Sequence, residues 1–421
     1  MRPRAGRTRL AQLVAVAMTA AVLVPAIFAG TKYEVLHNFG ASGDGTIPYG
    51  PPIVDRKGNL YGVTTTGGTG QCSDYGCGTV FKLAYGASHR WVEDVLHNFA
   101  GGSGGAFPWG GLGLDGSGNL YGTMSGYGSA AAGGVFELSP GPHSWSYNIL
   151  YSDVAGPGLL IDKVGDLYGE MGSGQSKYYG AIGELSPGSS GWNYTELYSF
   201  CTKLSCADGY NLAAPPIRDG KGNLYGATVD GGKGPPFCGN GDGGCGVIFK
   251  MTPNQDGTWA YHVLHRFAAF ATDGQSPNGG LAMDASGNLY GVTVYGGAYN
   301  RGIVFKLTFV GGHWKESTLY DFPNCADGCY PAGTPAFDKA GNLYATASGG
   351  LGDCGGYTCG VVFKLTPQQN GTWKYSVVYK LHGTDGNILP FGVIVDSKGN
   401  IFGTTSAGGT YNSGVAFEIT P

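Results

Sequence analysis

From residue 33 onward the chain is a succession of short runs in which apolar and polar positions alternate. "GLGLD", "NLYGTM", "GGVFELS" and "WSYNILY", read between Gly111 and Tyr151, alternate β-branched and aromatic residues with polar ones, and Gly, Pro or Asn separates the runs. Alternation over runs this short predicts half-buried strands rather than helices. The set of four returns along the chain. "GNLYG" stands at Gly58 and again at Gly118, Gly222 and Gly287, with near copies at Gly165, Gly341 and Gly399. The Asn of that turn falls at Asn59, Asn119, Asn223, Asn288, Asn342 and Asn400, with Asp166 once in its place, a mean step of about 57 residues. Seven units of four strands predict an all-β fold, a seven-bladed β-propeller with four-stranded blades.

The turn itself has a local physical reason. In "DxxGN" the Asp ends one strand, its side chain can accept backbone N–H groups two residues on, and the Gly can take a positive φ, which closes a tight hairpin into the "LYG" strand. Asp55, Asp115, Asp162, Asp219, Asp284, Asp338 and Asp396 are therefore read as turn formers rather than as a ring of acids or metal ligands. Trp91, Trp145, Trp192, Trp259, Trp314 and Trp373 open the fourth strand and are expected to cover the gap between neighbouring blades. His37, His97 and His265 alternate with Tyr151, Tyr198, Tyr320 and Tyr379 at one position of that strand, an interchange that suits packing rather than catalysis.

The two ends of the repeat region complement each other. "YEVLHNF" at Tyr33–Phe39 matches "EDVLHNF" at Glu93–Phe99, the fourth strand of a unit, whereas the chain ends in "GVAFEITP", a third strand followed by nothing. Pairing the two completes a blade from residues 389–421 and closes the ring, which removes the exposed edges of an open array.

Composition agrees with such a fold. The 421 residues include 80 Gly and 22 Pro, and only 13% are charged, yet 13% aromatic residues give the chain groups to bury and set it apart from disordered sequences. Net charge is −4 and no Lys/Arg run follows the first ten residues, so no nucleic-acid partner is expected. Residues 1–30 read as an export signal: Arg2, Arg4, Arg7 and Arg9 precede an apolar stretch from Leu10 to Phe28. An uncleaved membrane anchor is the alternative, since that stretch is long enough to span a bilayer. Residues 31–421 form a single propeller domain, secreted or otherwise extracytoplasmic and monomeric. Export makes the cysteines legible as five local disulfides, Cys72/Cys77, Cys201/Cys206, Cys238/Cys245, Cys325/Cys329 and Cys354/Cys359. Their varied spacing and the lack of paired C-x-x-C units argue against zinc.

The unit "GNLYGTT…GG…GxVFKLTP…W…LYxF…DG…P…GL" resembles the GloVer tandem-repeat family of exported bacterial proteins over essentially all of residues 31–421. The resemblance implies export and a repeat fold and carries over no catalytic residue. The third unit departs from the pattern: Asp166 replaces Asn, Glu170 replaces the usual Thr, and the step from Asn119 shortens.

Signatures of catalysis are weak. "GGSGG" at Gly101–Gly105 formally matches G-x-S-x-G but lies in a linker without the strand and helix of a nucleophile elbow, and no metal or cofactor motif is present. The expectation is a non-enzymatic binding module for a glycan or a cell-envelope protein partner. The alternatives are a polysaccharide-acting lyase or hydrolase with a site assembled from blade loops, and a surface structural component. The link Ser152–Gly158 into the third unit is shorter than its counterparts and should leave a notch in the rim. Trp109, Tyr127, Tyr178 and Tyr179 flank it and suit stacking on sugar rings, and Glu170 is the polar candidate there.

Overall fold

The computed structural model describes residues 31–421 apart from 73, 127–132, 154, 173–178, 233–243, 269–271, 351–358 and 390. They form seven antiparallel sheets arranged as the blades of a propeller, and the only helical segments among them are two short 3-10 turns. Blade 1 runs from its inner strand Gly45–Val54 through Leu60–Gly67 and Thr79–Tyr85 to the outer strand Trp91–Asn98. Blade 2 (Pro108–Tyr151), blade 3 (Leu160–Ser199), blade 4 (Tyr210–Arg266), blade 5 (Gly274–Asp321) and blade 6 (Cys329–Lys380) repeat that order. Blade 7 takes three strands from Val393–Val395, Ile401–Thr405 and Val415–Thr420, and its outer strand is Lys32–Asn38 from the start of the domain. The closing pair is antiparallel, with Lys32 opposite Thr420, Val35 opposite Phe417 and Asn38 opposite Val415.

Each hairpin turn is built as its sequence requires. Asp55 Oδ1 accepts the N–H groups of Lys57 (2.8 Å) and Asn59 (2.9 Å), while Oδ2 accepts the Asn59 amide (2.7 Å) and the Tyr61 hydroxyl (3.1 Å). The same four bonds recur around Asp219, Asp284 and Asp338. Burial would raise these carboxyls, but the Asn side-chain and backbone bonds outweigh it and hold them below their ordinary value. Blade 3 differs because Asp166 has no amide to donate; the Arg218 guanidinium of blade 4 reaches Asp162 instead.

Inside a blade, the Gly of "LYG" gives way to an aromatic ring. Gly62 lies opposite Phe81 in the next strand, and a Cβ there would come within 2.5 Å of that ring. At the axis the glycines serve a second purpose: a Cβ on Gly50, whose φ is +93°, would meet the Gly110 backbone of the next blade at 2.6 Å.

Two rings of side-chain contacts join the blades. In the first, Trp145, Trp192, Trp259, Trp314 and Trp373 meet the Tyr of the preceding blade (Tyr61, Tyr121, Tyr168, Tyr225 and Tyr290) edge-on, with centroids 5.9–6.4 Å apart. Trp91 packs in one cluster with Phe402 of blade 7. In the second ring, the outer-strand position occupied by His or Tyr stacks on a Tyr of the following blade: Tyr198 on Tyr261 (4.0 Å), Tyr320 on Tyr375 (4.2 Å), His97 on Tyr147 (4.1 Å) and Tyr379 on Tyr33 (4.0 Å). Burial alone lowers the His97 imidazole to about 4, so at neutral pH it packs as an uncharged ring.

Disulfides join Cys72 to Cys77, Cys201 to Cys206 and Cys325 to Cys329, in links on the face where second strands and outer strands end, with Cys329 the first residue of the blade 6 inner strand. Cys245 and Cys359 are also disulfide-bonded, whereas Cys238 and Cys354 lie outside the described residues. Residues 1–30 are likewise outside, and among the described residues no helix is long and apolar enough to cross a membrane.

The Lys32–Asn38 strand supplies both a sheet partner for Val415–Thr420 and a stacking partner for Tyr379. Deleting residues 31–39 is therefore expected to aggregate the protein or lower its melting temperature by more than about 10 °C, read by size-exclusion chromatography and thermal unfolding. A monomeric truncation with unchanged melting would contradict ring closure.

Candidate functional site

Blade 3 creates an opening through what it lacks. In blades 1, 2 and 4 the inner strand begins with a segment that covers the end of the second strand: Gly45 pairs with Gly67, Pro108 with Met124, and Tyr210 with Asp230. The short link after Tyr151 leaves blade 3 only Leu160–Ile161 and an isolated bridge from Ala155 to Met171. Gly156 N–H still donates to the Glu170 carbonyl at 2.8 Å, but a glycine there offers no side chain where Tyr49 of blade 1 and Trp109 of blade 2 stand opposite Val63 and Thr123, and that missing side chain opens the space around Glu170.

A cavity of about 500 Å³ fills the gap, bounded by Trp109, Ala155–Pro157, Glu170, Asn211 and Asn278. It shares Tyr49, Pro157, Ala213 and Asn278 with an axial cavity of about 420 Å³, lined by inner strands of all seven blades and by no charged side chain. The mouth is thus polar on one side and opens onto an apolar shaft.

Among the described residues, Glu170 is the one carboxylate lining the mouth. At the equivalent position Thr123, Thr346 and Thr404 donate to inner-strand carbonyls of Trp109, Ala332 and Gly50. Glu170 reaches further and accepts the Leu212 N–H of blade 4 at 3.2 Å. Gly156 and Gly180 make room for it: a Cβ on Gly156 would come within 2.8 Å of Glu170 Oε2. The side chain keeps some surface open to the cavity although protein surrounds it on nearly all sides, and that burial pushes its carboxyl up to about 7, against the pull of the Leu212 N–H.

Tyr49 and Trp109 line the same cavity, and Phe391 on the axial cavity extends them into an arc of rings from three consecutive blades. Phe391 lies 3.8 Å from Tyr49, and Tyr49 lies 6.3 Å from Trp109, whose indole N–H donates to the Ala155 carbonyl at 3.2 Å. Of the residues singled out from the sequence, Trp109 and Glu170 share this cavity. Tyr179 packs edge-on against Tyr210 at 4.9 Å, away from the lining, and Tyr127 and Tyr178 lie outside the described residues. Sequence reasoning missed Tyr49, Asn211 and Asn278. Their only signal was a place on the inner strands or in the links beside them, which local context does not distinguish.

The ring of blades and its lateral mouth define the chain as a seven-bladed propeller module. It belongs to the Gloeobacter/Verrucomicrobia repeat family, whose profile matches residues 21–235 and 237–421. Among solved structures it is similar to an ancestral GH74 enzyme, at 11% identity and a TM-score of 0.56, over 89% of this chain and 48% of that one. The chain thus spans about half the length of that enzyme. It is also similar to a luciferin-regenerating enzyme (13% identity, TM-score 0.46, 93% and 96% covered) and to a hypothetical selenium-binding protein from Sulfolobus tokodaii (12% identity, TM-score 0.48, 78% and 76% covered). At such identities the likeness is one of fold. No curated protein matches by sequence.

The Glu170 carboxyl ordinarily titrates near 4.5 and in the folded protein near 7. A raised carboxyl favours folding while it is neutral, and that contribution is lost as pH rises through 7. Glu170→Gln keeps an acceptor for the Leu212 N–H and stays neutral. It is expected to melt with the parent at about pH 5 and several degrees above it at about pH 8. Thermal unfolding at both values checks this, and a variant no more stable at the higher pH would contradict the assignment.

Proposed function

We propose that this protein is an exported, non-enzymatic binding module that takes a glycan or polysaccharide segment of an envelope polymer at the mouth beside blade 3. One observation carries the reading: among the described residues a single carboxylate, two carboxamides and two aromatic rings line one cavity of ligand size. Trp109 and Tyr49 offer apolar ring surface for stacking on sugar rings, Asn211 and Asn278 are exposed amides able to donate and accept, and ionised Glu170 is an acceptor for hydroxyls. The bridged loops on the same face favour an oxidising compartment, and the basic then apolar residues 1–30 fit export.

The enzymatic alternative draws support from Glu170, since a carboxyl near 7 is what a general acid needs at neutral pH. Glycoside hydrolysis, however, employs two carboxyls about 5 to 10 Å apart, and the described lining supplies one. Binding is therefore the better reading.

A glycan array with the purified protein is expected to return a defined set of oligosaccharides that are bound and not cleaved. Trp109→Ala should weaken them by about tenfold with melting unchanged. Equal affinity in Trp109→Ala and Glu170→Gln would remove the mouth as the site, and released product would favour the enzyme.

A further inference from the structure

The blade 7–blade 1 junction departs from the stacking seen at most other boundaries. His37, on the closing strand, faces Glu93 of blade 1 where the other junctions described above have a Tyr, and Asp44 joins them from the intervening link. His37 Nε2 lies 2.9 Å from Asp44 Oδ2 and 3.7 Å from Glu93 Oε2, and one ligand atom from each residue falls within 4.8 Å of the others. From these three side chains and this geometry, we infer that the ring-closing junction is a binding site for a zinc-class divalent cation.

The spacing suits that ion. A tetrahedral centre with ligands at about 2.0–2.1 Å has edges of about 3.3 Å, and the observed separations bracket that value. One imidazole and two carboxylates form a donor set for zinc, whereas calcium prefers six to eight oxygens. Backbone groups already orient the Asp44 carboxylate: Gly45 N–H donates to Oδ1 at 2.6 Å, and Gly40 N–H to Oδ2 at 3.1 Å. A separate observation points to a missing partner. Glu93 Oε1 is buried and accepts no hydrogen bond, a costly arrangement for an acid unless a cation or proton satisfies it. The blade 4–blade 5 junction has the same three residue types, His265, Asp273 and Glu316, and Glu316 Oε1 is buried without a partner there too. His265 Nε2 stands 3.3 Å from Asp273 Oδ1, but the described ligand atoms converge as a set of three only at His37, so a single site is assigned.

The test uses the purified protein, stripped with chelator and dialysed, then titrated with zinc chloride or calcium chloride. One equivalent of zinc should be retained, with a melting temperature raised by about 3 °C at saturating zinc. EDTA should reverse the shift, and calcium should give none. The double variant His37→Tyr, Glu93→Tyr recreates the aromatic pairing of the other junctions, so it should fold, bind no zinc at this stoichiometry and melt independently of it. His265→Gln should bind as the parent does. If the double variant fails to fold, Glu93→Gln is measured in its place and should lose the bound equivalent. No retained zinc in the parent, or undiminished retention in the folded junction variant, overturns the inference and leaves a carboxyl proton as the satisfying partner of Glu93.

Discussion

In blades 1, 2, 4 and 5 the Tyr of the "LYG" strand stands between two partners, and the ring of blades depends on both. Behind it, the Asp of the preceding turn holds its hydroxyl, as Asp219 holds Tyr225 at 3.1 Å. In front, the Trp that opens the outer strand of the next blade meets its ring edge-on, as Trp314 meets Tyr225 at 6.3 Å. An edge-to-face pair of this kind adds about 1 kcal/mol beyond the area it buries. Its larger effect is geometric: one turn fixes one ring, that ring fixes the angle of the next blade, and repetition brings the last blade back to the first. Closure then needs no covalent link, because the strand that starts the domain fills the place that the final unit leaves vacant.

The glycine content follows from the same packing. A blade whose "LYG" glycine must admit the Phe of the neighbouring strand, and whose inner strand must touch the next one backbone to backbone, has few positions where a side chain fits. Blade 3 keeps the backbone contact at the axis, through Gly158 and Gly111, but departs from the repeat elsewhere. Gly183 replaces that Phe, and Tyr194 swings over the vacancy. Asp166 replaces the turn Asn, and Arg218 comes from blade 4 to serve Asp162. The inner strand is cut short, and Glu170 crosses the gap to the Leu212 N–H. The site candidate is the place where the repeat gives up local self-sufficiency and borrows partners from its neighbours. Departures from local consistency are where function is expected to concentrate.

The extent to which the sequence was legible follows from this distinction. Features that each repeat satisfies within itself could be read directly: the Asp turn, the four-strand unit, the disulfides of adjacent cysteines, and the complementarity of Tyr33–Phe39 with the unpaired last strand. The Trp positions were readable as inter-blade covers because they recur at one strand position. The shortened link beside Glu170 was visible as a gap in spacing. What the gap exposes was not, since Tyr49, Asn211 and Asn278 come from separate blades and meet only once the ring is closed. His37 and Glu93 illustrate the same limit: one position alternates between His and Tyr and suggests packing, but the carboxylates it meets are set by a neighbour 56 residues on and by a link.

Native-state hydrogen exchange of the amides in Lys32–Asn38 bears most directly on the central claim, that a terminal strand closes a ring of mutually dependent blades. With the ring closed by this strand, these amides exchange only through global unfolding, at the same protection as Val415–Thr420 and as the inner strand of blade 1. Fast exchange at Tyr33 to His37, with slow exchange retained elsewhere, would mean that the strand is a dispensable appendage and the ring is held by other means.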